Sequence, residues 1–341
     1  MSLGLDCGTS RFRALERKHH ELCGRHLPTA YAAVPDRDAQ RRLLSQARIP
    51  CCWSDDALLI LGPEAPHVAE ALHRPLIPLL PEARLPEEDP IGRQVAARLV
   101  EMILPPPPRD GLATLAAPRD AGPGDPTCEF FTRLLRLHGY ETHVIPAVLA
   151  VALAELEADQ YTGIAASFGA GTASIGLAHR GQLVAHAVIE QAGDWIDRRL
   201  CERFRRILFD PAGRQFLDLA GAARWKMSAE RSLAVAVAPD EQLLHELYRE
   251  SIRALLEAFR AALSREVRRG LDRRPLPLLL HGGGTAILGF THLWEECWRT
   301  AAIDLPVRRP QLTREGNWTV ARGCLIHAEL MESSVRQRRS A

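Results

Sequence analysis

The chain has 341 residues, more than one hydrophobic core usually serves, because such cores stop growing at roughly 250–300 residues. With 46% hydrophobic and 25% charged residues, it has the material for buried cores, which excludes an extended disordered chain. A net charge of +1 excludes a general electrostatic pull toward nucleic acid or an anionic membrane, and no run of about 20 apolar residues offers a membrane span.

Residues 3–16 read as a hairpin: strand Leu3–Asp6, a glycine-containing turn over Cys7–Ser10, and an alternating strand Arg11–Glu16. Ala57–Gly62 reads as a strand and Glu64–His73 as a helix. Val95, Leu99 and Ile103 give helical spacing to Ile91–Leu104, which Pro105–Pro108 ends as a stiff connector. A strand over Gly111–Ala117, a helix over Pro126–His138 and a strand over Thr142–Ile145 follow. Pro146 suits the first turn of the apolar helix Ala147–Ala158, a natural crossing between halves.

The second half repeats the opening, with a strand at Thr162–Ala166, a glycine turn over Ser167–Thr172, and strands at Ser174–Ala178 and Gln182–Ile189. Helices are expected over Trp195–Leu208, Arg214–Met227 and Glu241–Leu271. Leu276–Leu280 is a buried strand leading into His281–Ala286, a helix runs from Gly289 to Thr300, and a last helix spans Asn317–Met331. Only Arg336, Arg338 and Arg339 make a locally basic tail.

The eight cysteines form no Cys-x-x-Cys pair, so thiolate zinc binding is not expected. The opening segment lacks the basic start and long apolar run of a secretory signal, so free thiols in a reducing cytoplasm are expected. Cys51 and Cys52 would point to opposite faces of a strand and are read as buried structural residues. His19, His20 and His26 lack carboxylate or thiolate partners at ligand spacing and read as a solvated face, as do Glu87, Glu88 and Asp89 on their proline-flanked loop. No nucleophile elbow and no lysine-bearing Walker loop occurs.

Three glycine turns after strands remain: Gly8, then Gly169 and Gly171, then Gly282, Gly283 and Gly284. Glycine lets backbone amides approach an anion, and Thr9, Ser10 and Thr172 add hydroxyl donors. Two such hairpins facing each other could pinch a polyphosphate. The third turn, at a strand-to-helix junction, would let a nucleoside lie on bare backbone.

Gly4–Ser10 (GLDCGTS) resembles the first phosphate motif of the actin, heat-shock-chaperone and sugar-kinase ATPase superfamily. Gly163–Gly181 resembles the second, and Leu278–Ala286 (LLLHGGGTA) the adenosine motif. Ile145–Ala150 is similar to the first connecting helix. Ala192–Asp197 (AGDWID) resembles the Gly-Asp segment of the rod-shape-determining bacterial actins, the branch this chain resembles most.

The resemblance implies an α/β, two-lobed actin-like ATPase fold of duplicated ribonuclease-H-like domains around a nucleotide cleft. Residues 1–145 plus a C-terminal helix from about 317 to 341 would form the first lobe, and 146–316 the second. It further implies ATP or ADP with Mg²⁺ as ligand. Asp6, Gly8, Thr9 and Ser10 would act from one side and Gly169, Gly171 and Thr172 from the other. Gly193, Lys226 and Gly282–Gly284 would lie near the nucleoside, and Asp6 would hold the metal through water.

The chain departs from the family at the positions that carry hydrolysis. Ser167 stands where an aspartate is usual, Ile145 or Pro146 where a glutamine or glutamate orients water, and Ser174 where eukaryotic actin has a histidine. Slow or absent hydrolysis is therefore expected. Self-association or a protein partner is implied by the family. The alternatives are a pseudo-ATPase scaffold that no longer binds nucleotide, or a stand-alone chaperone-type ATPase domain; the latter is disfavoured because no peptide-binding segment follows before Ala341. A sugar kinase would need a catalytic acid that is not identified.

Overall fold

The structure, a computed structural model of the chain, describes residues 1–340 except 55, 107–110, 123 and 271–273, and the side chains of 268–270 and 335–340 lie outside the description. The end of the proline connector, Leu271 and the side chains of Arg336, Arg338 and Arg339 therefore lie outside it too.

The chain opens with an antiparallel meander, β1 (Ser2–Cys7), β2 (Arg11–Lys18) and β3 (Glu21–Pro28). A small sheet follows, built from β4 (Ala30–Pro35), β5 (Cys51–Ser54), β6 (Ala57–Ile60) and β7 (Leu76–Pro78), with helices α1 (Asp38–Gln46) and α2 (Glu64–Ala71) between its strands. Helix α3 (Pro90–Ile103), strand β8 (Gly111–Ala116), helix α4 (Pro126–Leu137) and strand β9 (Tyr140–Val144) complete a five-stranded sheet in the order β3-β2-β1-β8-β9, with β1, β8 and β9 parallel. Asp-Pro pairs start both helices: Asp89 accepts from Gly92 N at 2.9 Å, and Asp125 accepts from Thr127 N and Cys128 N at 2.9 and 3.0 Å.

After α5 (Ala147–Glu155) the plan repeats. β10 (Gly163–Phe168), β11 (Ala173–His179) and β12 (Gln182–Ile189) form a second meander. Then come α6 (Gly193–Phe204), the isolated hairpin β13 (Ile207–Phe209) and β14 (Gln215–Leu217), α7 (Leu219–Lys226), α8 (Pro239–Ala262) and α9 (Arg265–Gly270). Strand β15 (Leu278–His281), helix α10 (Phe290–Thr300), strand β16 (Gln311–Leu312) and helix α11 (Thr319–Ser340) close the fold. The second sheet runs β12-β11-β10-β15-β16, with β10, β15 and β16 parallel.

Each sheet buries one face on its own helices. Leu3, Leu5 and Phe12 pack with Val95, Leu99 and Phe131 on the first; Ile164, Ile175 and Leu177 pack with Leu255, Phe259 and Trp294 on the second. Each such side chain is worth about 1.5–3 kcal/mol of transfer free energy when fully buried. The other two faces meet across α5 and α11, where Ala116 of the first sheet and Ala165, Ala178 and Leu279 of the second share one cluster with Val148, Val151, Val320 and Cys324. Missing side chains make this seam close: a Cβ on Gly4 would lie 2.1 Å from Ala321 O, and one on Gly323 1.8 Å from Ala150 O.

Some elements differ from the sequence expectation. Helix was expected through Leu208 and from Arg214, yet both segments pair as β13 and β14, because Pro211 cannot continue a helix and Gly213 turns the chain at φ +78°. The long helix expected to Leu271 breaks at Leu263, whose backbone is extended. Strands β3 and β4 and helix α1 were not read from the sequence at all. Cys51 and Cys52 do sit on a strand, but both are only half-buried. His19 and His20 form the exposed left-handed turn between β2 and β3, and His26 is exposed on β3. All eight cysteines are free. Among the described residues no helix is long and apolar enough to cross a membrane.

Candidate functional site

The parallel strands of both sheets end on one side, and there the three glycine turns meet. The first is pinned by Thr29, whose Oγ1 donates to Gly8 O at 2.9 Å while its N donates to Ser10 O at 3.0 Å. The second closes on itself through Gly169 N to Thr172 O at 2.9 Å. Across the gap between the sheets, Gly171 N donates to Thr9 Oγ1 at 2.7 Å, and a Cβ on Gly171 would lie 2.7 Å from Thr9 Cγ2. Glycine thus sets the distance between the two hairpins.

The third turn lies against the second. Gly282 has φ +102°, and a Cβ there would come within 2.3 Å of Phe168 O, so only glycine permits this approach. Thr285 N and Oγ1 both donate to Gly282 O, at 3.1 and 2.8 Å, while Gly283 is exposed with nothing within 4 Å of its would-be Cβ. Gly8, Thr9, Gly169, Gly171, Thr172 and Gly282–Gly284 are therefore neighbours; Ser10 lies at the exposed edge of the first turn.

Gly193 and Lys226 belong to a support behind the second turn. Gly193 N donates to Gly169 O at 3.2 Å and Asp194 N to Ala170 O at 2.7 Å, docking the start of α6 onto that turn. The buried Lys226 ammonium donates to Gly193 O at 2.9 Å and lies 2.7 Å from Asp197 Oδ1. The Lys226 side chain is thus taken up by a buried pair. Burial pushes the Asp197 carboxyl up to about 6, with Lys226 opposing it.

Charge on the cleft floor is uneven. Arg13, opposite Asp6 in the first hairpin, donates Nη1 to Asp6 Oδ2 at 2.8 Å. Burial still holds the Asp6 carboxyl above its usual range: Arg13 lowers it and nearby Asp120 raises it. The second sheet answers with neutral groups, since Ser167 pairs with Ser174 on one side and His281 on the other, placing all three on one face. Burial, helped by Arg13, pushes the His281 imidazole down to about 4; its Nδ1 lies 3.2 Å from Thr313 Oγ1.

Sequence reasoning missed Arg13, Asp120 and His186. Asp120, in the short helical turn within the β8–α4 connection, accepts from Ala147 N at the head of α5 at 2.6 Å and lies 2.9 Å from His186 Nε2 of β12. Arg13 was legible in principle, because Asp6 and Arg13 face each other once the hairpin turn is placed. Asp120, in the turn after β8, and His186, on β12, are 66 residues apart, and no local pattern joins them.

Two sheets of the same strand order, joined through α5 and α11 and opening their glycine turns onto one cleft, define the two-lobed actin-like ATPase fold. Solved structures of that fold cover nearly the whole chain. MreB 5 of Spiroplasma citri bound to AMPPNP superposes with a TM-score of 0.70 at 14% identity, covering 98% of both chains. The MamK double helical filament gives 0.66 at 18%, covering 96% of this chain and 98% of that one. The ethanolamine utilization protein EutJ from Carboxydothermus hydrogenoformans gives 0.53 at 15%, covering 95% and 88%. The chain belongs to the Volactin family, whose model matches residues 1–328. No curated protein matches it.

Proposed function

We propose that the protein binds ATP or ADP between its lobes and that lobe closure governs its contact with copies of itself or with a protein partner, in the cytoplasm. The observation that carries this is the convergence of three glycine turns, with Gly171 N, Thr9 Oγ1 and the exposed Gly283 on one cleft. Similar folds described as bound to AMPPNP and ADP, and one described as a filament, support the reading. The lobes would be residues 1–145 with the helix from about 317, and 146–316, a division favoured by the packing of α11 on β1 and β8.

The donor set fits Mg²⁺ only in one way. Asp6 is a single carboxylate already engaged by Arg13, and Ser167 offers no second charge, so a metal carried in with the phosphates would be held through water. Bound there, Mg²⁺ would neutralise phosphate charge. Thr9 would present its hydroxyl proton to the phosphate oxygens, Gly171 N would join it once released from Thr9 Oγ1, and Arg13 would oppose the protonation of Asp6 that burial favours. No base stands at Ile145 or Pro146, so hydrolysis would be slow or absent.

Equilibrium dialysis with labelled ATP and Mg²⁺ tests the reading: binding at millimolar or tighter dissociation constants is expected, with phosphate release far below that of an ordinary family ATPase. One observation favours a pseudo-ATPase scaffold instead: the Thr9–Gly171 hydrogen bond already occupies the two hairpins' facing groups. Absence of binding in dialysis would select that scaffold.

A further inference from the structure

The cleft is spanned by side-chain pairs that the nucleotide reading does not use. On its floor, Asp120 of the first lobe reaches His186 of the second at 2.9 Å while its other oxygen holds Ala147 N at 2.6 Å. One carboxylate thus grips the connecting helix and the opposite sheet together. Arg119 and Asp120 both sit in the left-handed region, at φ +62° and +50°, a conformation that non-glycine residues keep only when their surroundings hold them. Beside them, Glu190 at the end of β12 lies 2.6 Å from Arg119 Nη1 and 3.5 Å from Arg84 Nη2. At the mouth, Arg224 of α7 lies 3.4 Å from Glu70 of α2.

We propose that Asp120–His186, with Glu190–Arg119 and Glu190–Arg84 outside it, forms an interlobe clasp that holds the cleft closed without ligand and limits the rate at which it exchanges its occupant. The inner pair dominates, because the Asp120 side chain is 3% exposed and losing His186 would strand a buried oxygen, whereas Glu190 is 51% exposed and its pairs are screened by water. Opening the lobes must break the inner and outer pairs together with the Thr9–Gly171 bond. A ligand can shift closure only by its differential affinity for the closed state, and these pairs would add to that from within the protein. The closure half of the proposal stands without a ligand, and the exchange half rests on the nucleotide reading above.

The test uses the full chain carrying spin labels on unnatural residues at the exposed positions Leu72 and Leu208, with tip-to-tip distance read by pulsed electron resonance. Ligand-free wild type should give one short, narrow distance. His186→Leu and Glu190→Arg should each broaden and lengthen it, and the exchanged pair Arg119→Glu with Glu190→Arg should recover part of the wild-type distribution, because Arg84 is left beside a like charge. Dissociation of a fluorescent ATP analogue should quicken about tenfold in His186→Leu. Glu190→Arg changes an exposed residue and serves if His186→Leu fails to fold. Wild-type distances in both ligand-free variants would overturn the clasp. If wild type binds no analogue, the nucleotide reading fails, and the distance measurement still decides the clasp.

Discussion

The two five-stranded sheets follow one plan, and register makes their residues correspond. Asp6 pairs with Arg13 and Ala116 in the first; Ser167 pairs with Ser174 and His281 in the second. Backbone is shared where a glycine turn follows, at Gly8 and at Gly169, while charge is kept on one side only. A polyphosphate would thus meet main-chain donors from both lobes but a carboxylate and a guanidinium from one. The difference separates holding a nucleotide from hydrolysing it, because the first needs amides and the second needs a placed base.

What the halves share most strictly is the seam, and breaking it should have the largest effect. Gly323→Val and Gly4→Val place atoms inside Ala150 O and Ala321 O, so each should cost upward of about 4 kcal/mol in urea unfolding or prevent folding. Alanine at both sites with an unchanged midpoint would mean that α11 does not pack as described. The support of the second turn comes next. Lys226→Met leaves Asp197 buried without its cation and should cost about 3–5 kcal/mol, most of it recovered by adding Asp197→Leu. A Lys226→Met protein as stable as wild type would remove this pair from the account.

The neutral side of the comparison has a pH signature. Burial keeps His281 unprotonated in the folded chain down to about 4, while the unfolded chain takes up a proton below its ordinary 6.5. Stability from this residue is therefore present above pH 6.5 and lost as pH falls toward 4, by up to about 3 kcal/mol. His281→Gln should flatten that stretch of the denaturation profile. The smallest effects concern the charged side: Asp6→Asn should weaken MgATP binding about tenfold, or ~1.4 kcal/mol. Ser167→Asp, which gives the second lobe its missing carboxylate, should raise phosphate release, and calorimetry with a phosphate assay reads both.

Much of this architecture was legible in the sequence, for identifiable reasons. The spacing of Val95, Leu99 and Ile103 marks α3, although Asp89, read as a solvated loop residue, caps it, and Arg180-Gly181 turns β11 into β12 with left-handed backbone at both residues. The hairpin Ile207–Leu217 was misread because a short apolar run between helices has no period that separates strand from helix. The glycine turns were found because their chemistry is local. Arg13, Asp120, His186 and Glu190 were not, since each acquires its role from a partner that only folding brings near. His186 in Gln182–Ile189 reads as one more polar position on an alternating strand.

Hydrogen exchange of the purified chain with and without MgATP tests the central claim most directly. The account predicts that amides of Gly8–Arg11, Phe168–Ala173 and His281–Ala286 slow together, while β5, the outer edge strand of the small sheet, is unchanged. Saturating nucleotide that slows none of the three segments, or only one, would contradict a shared phosphate cleft.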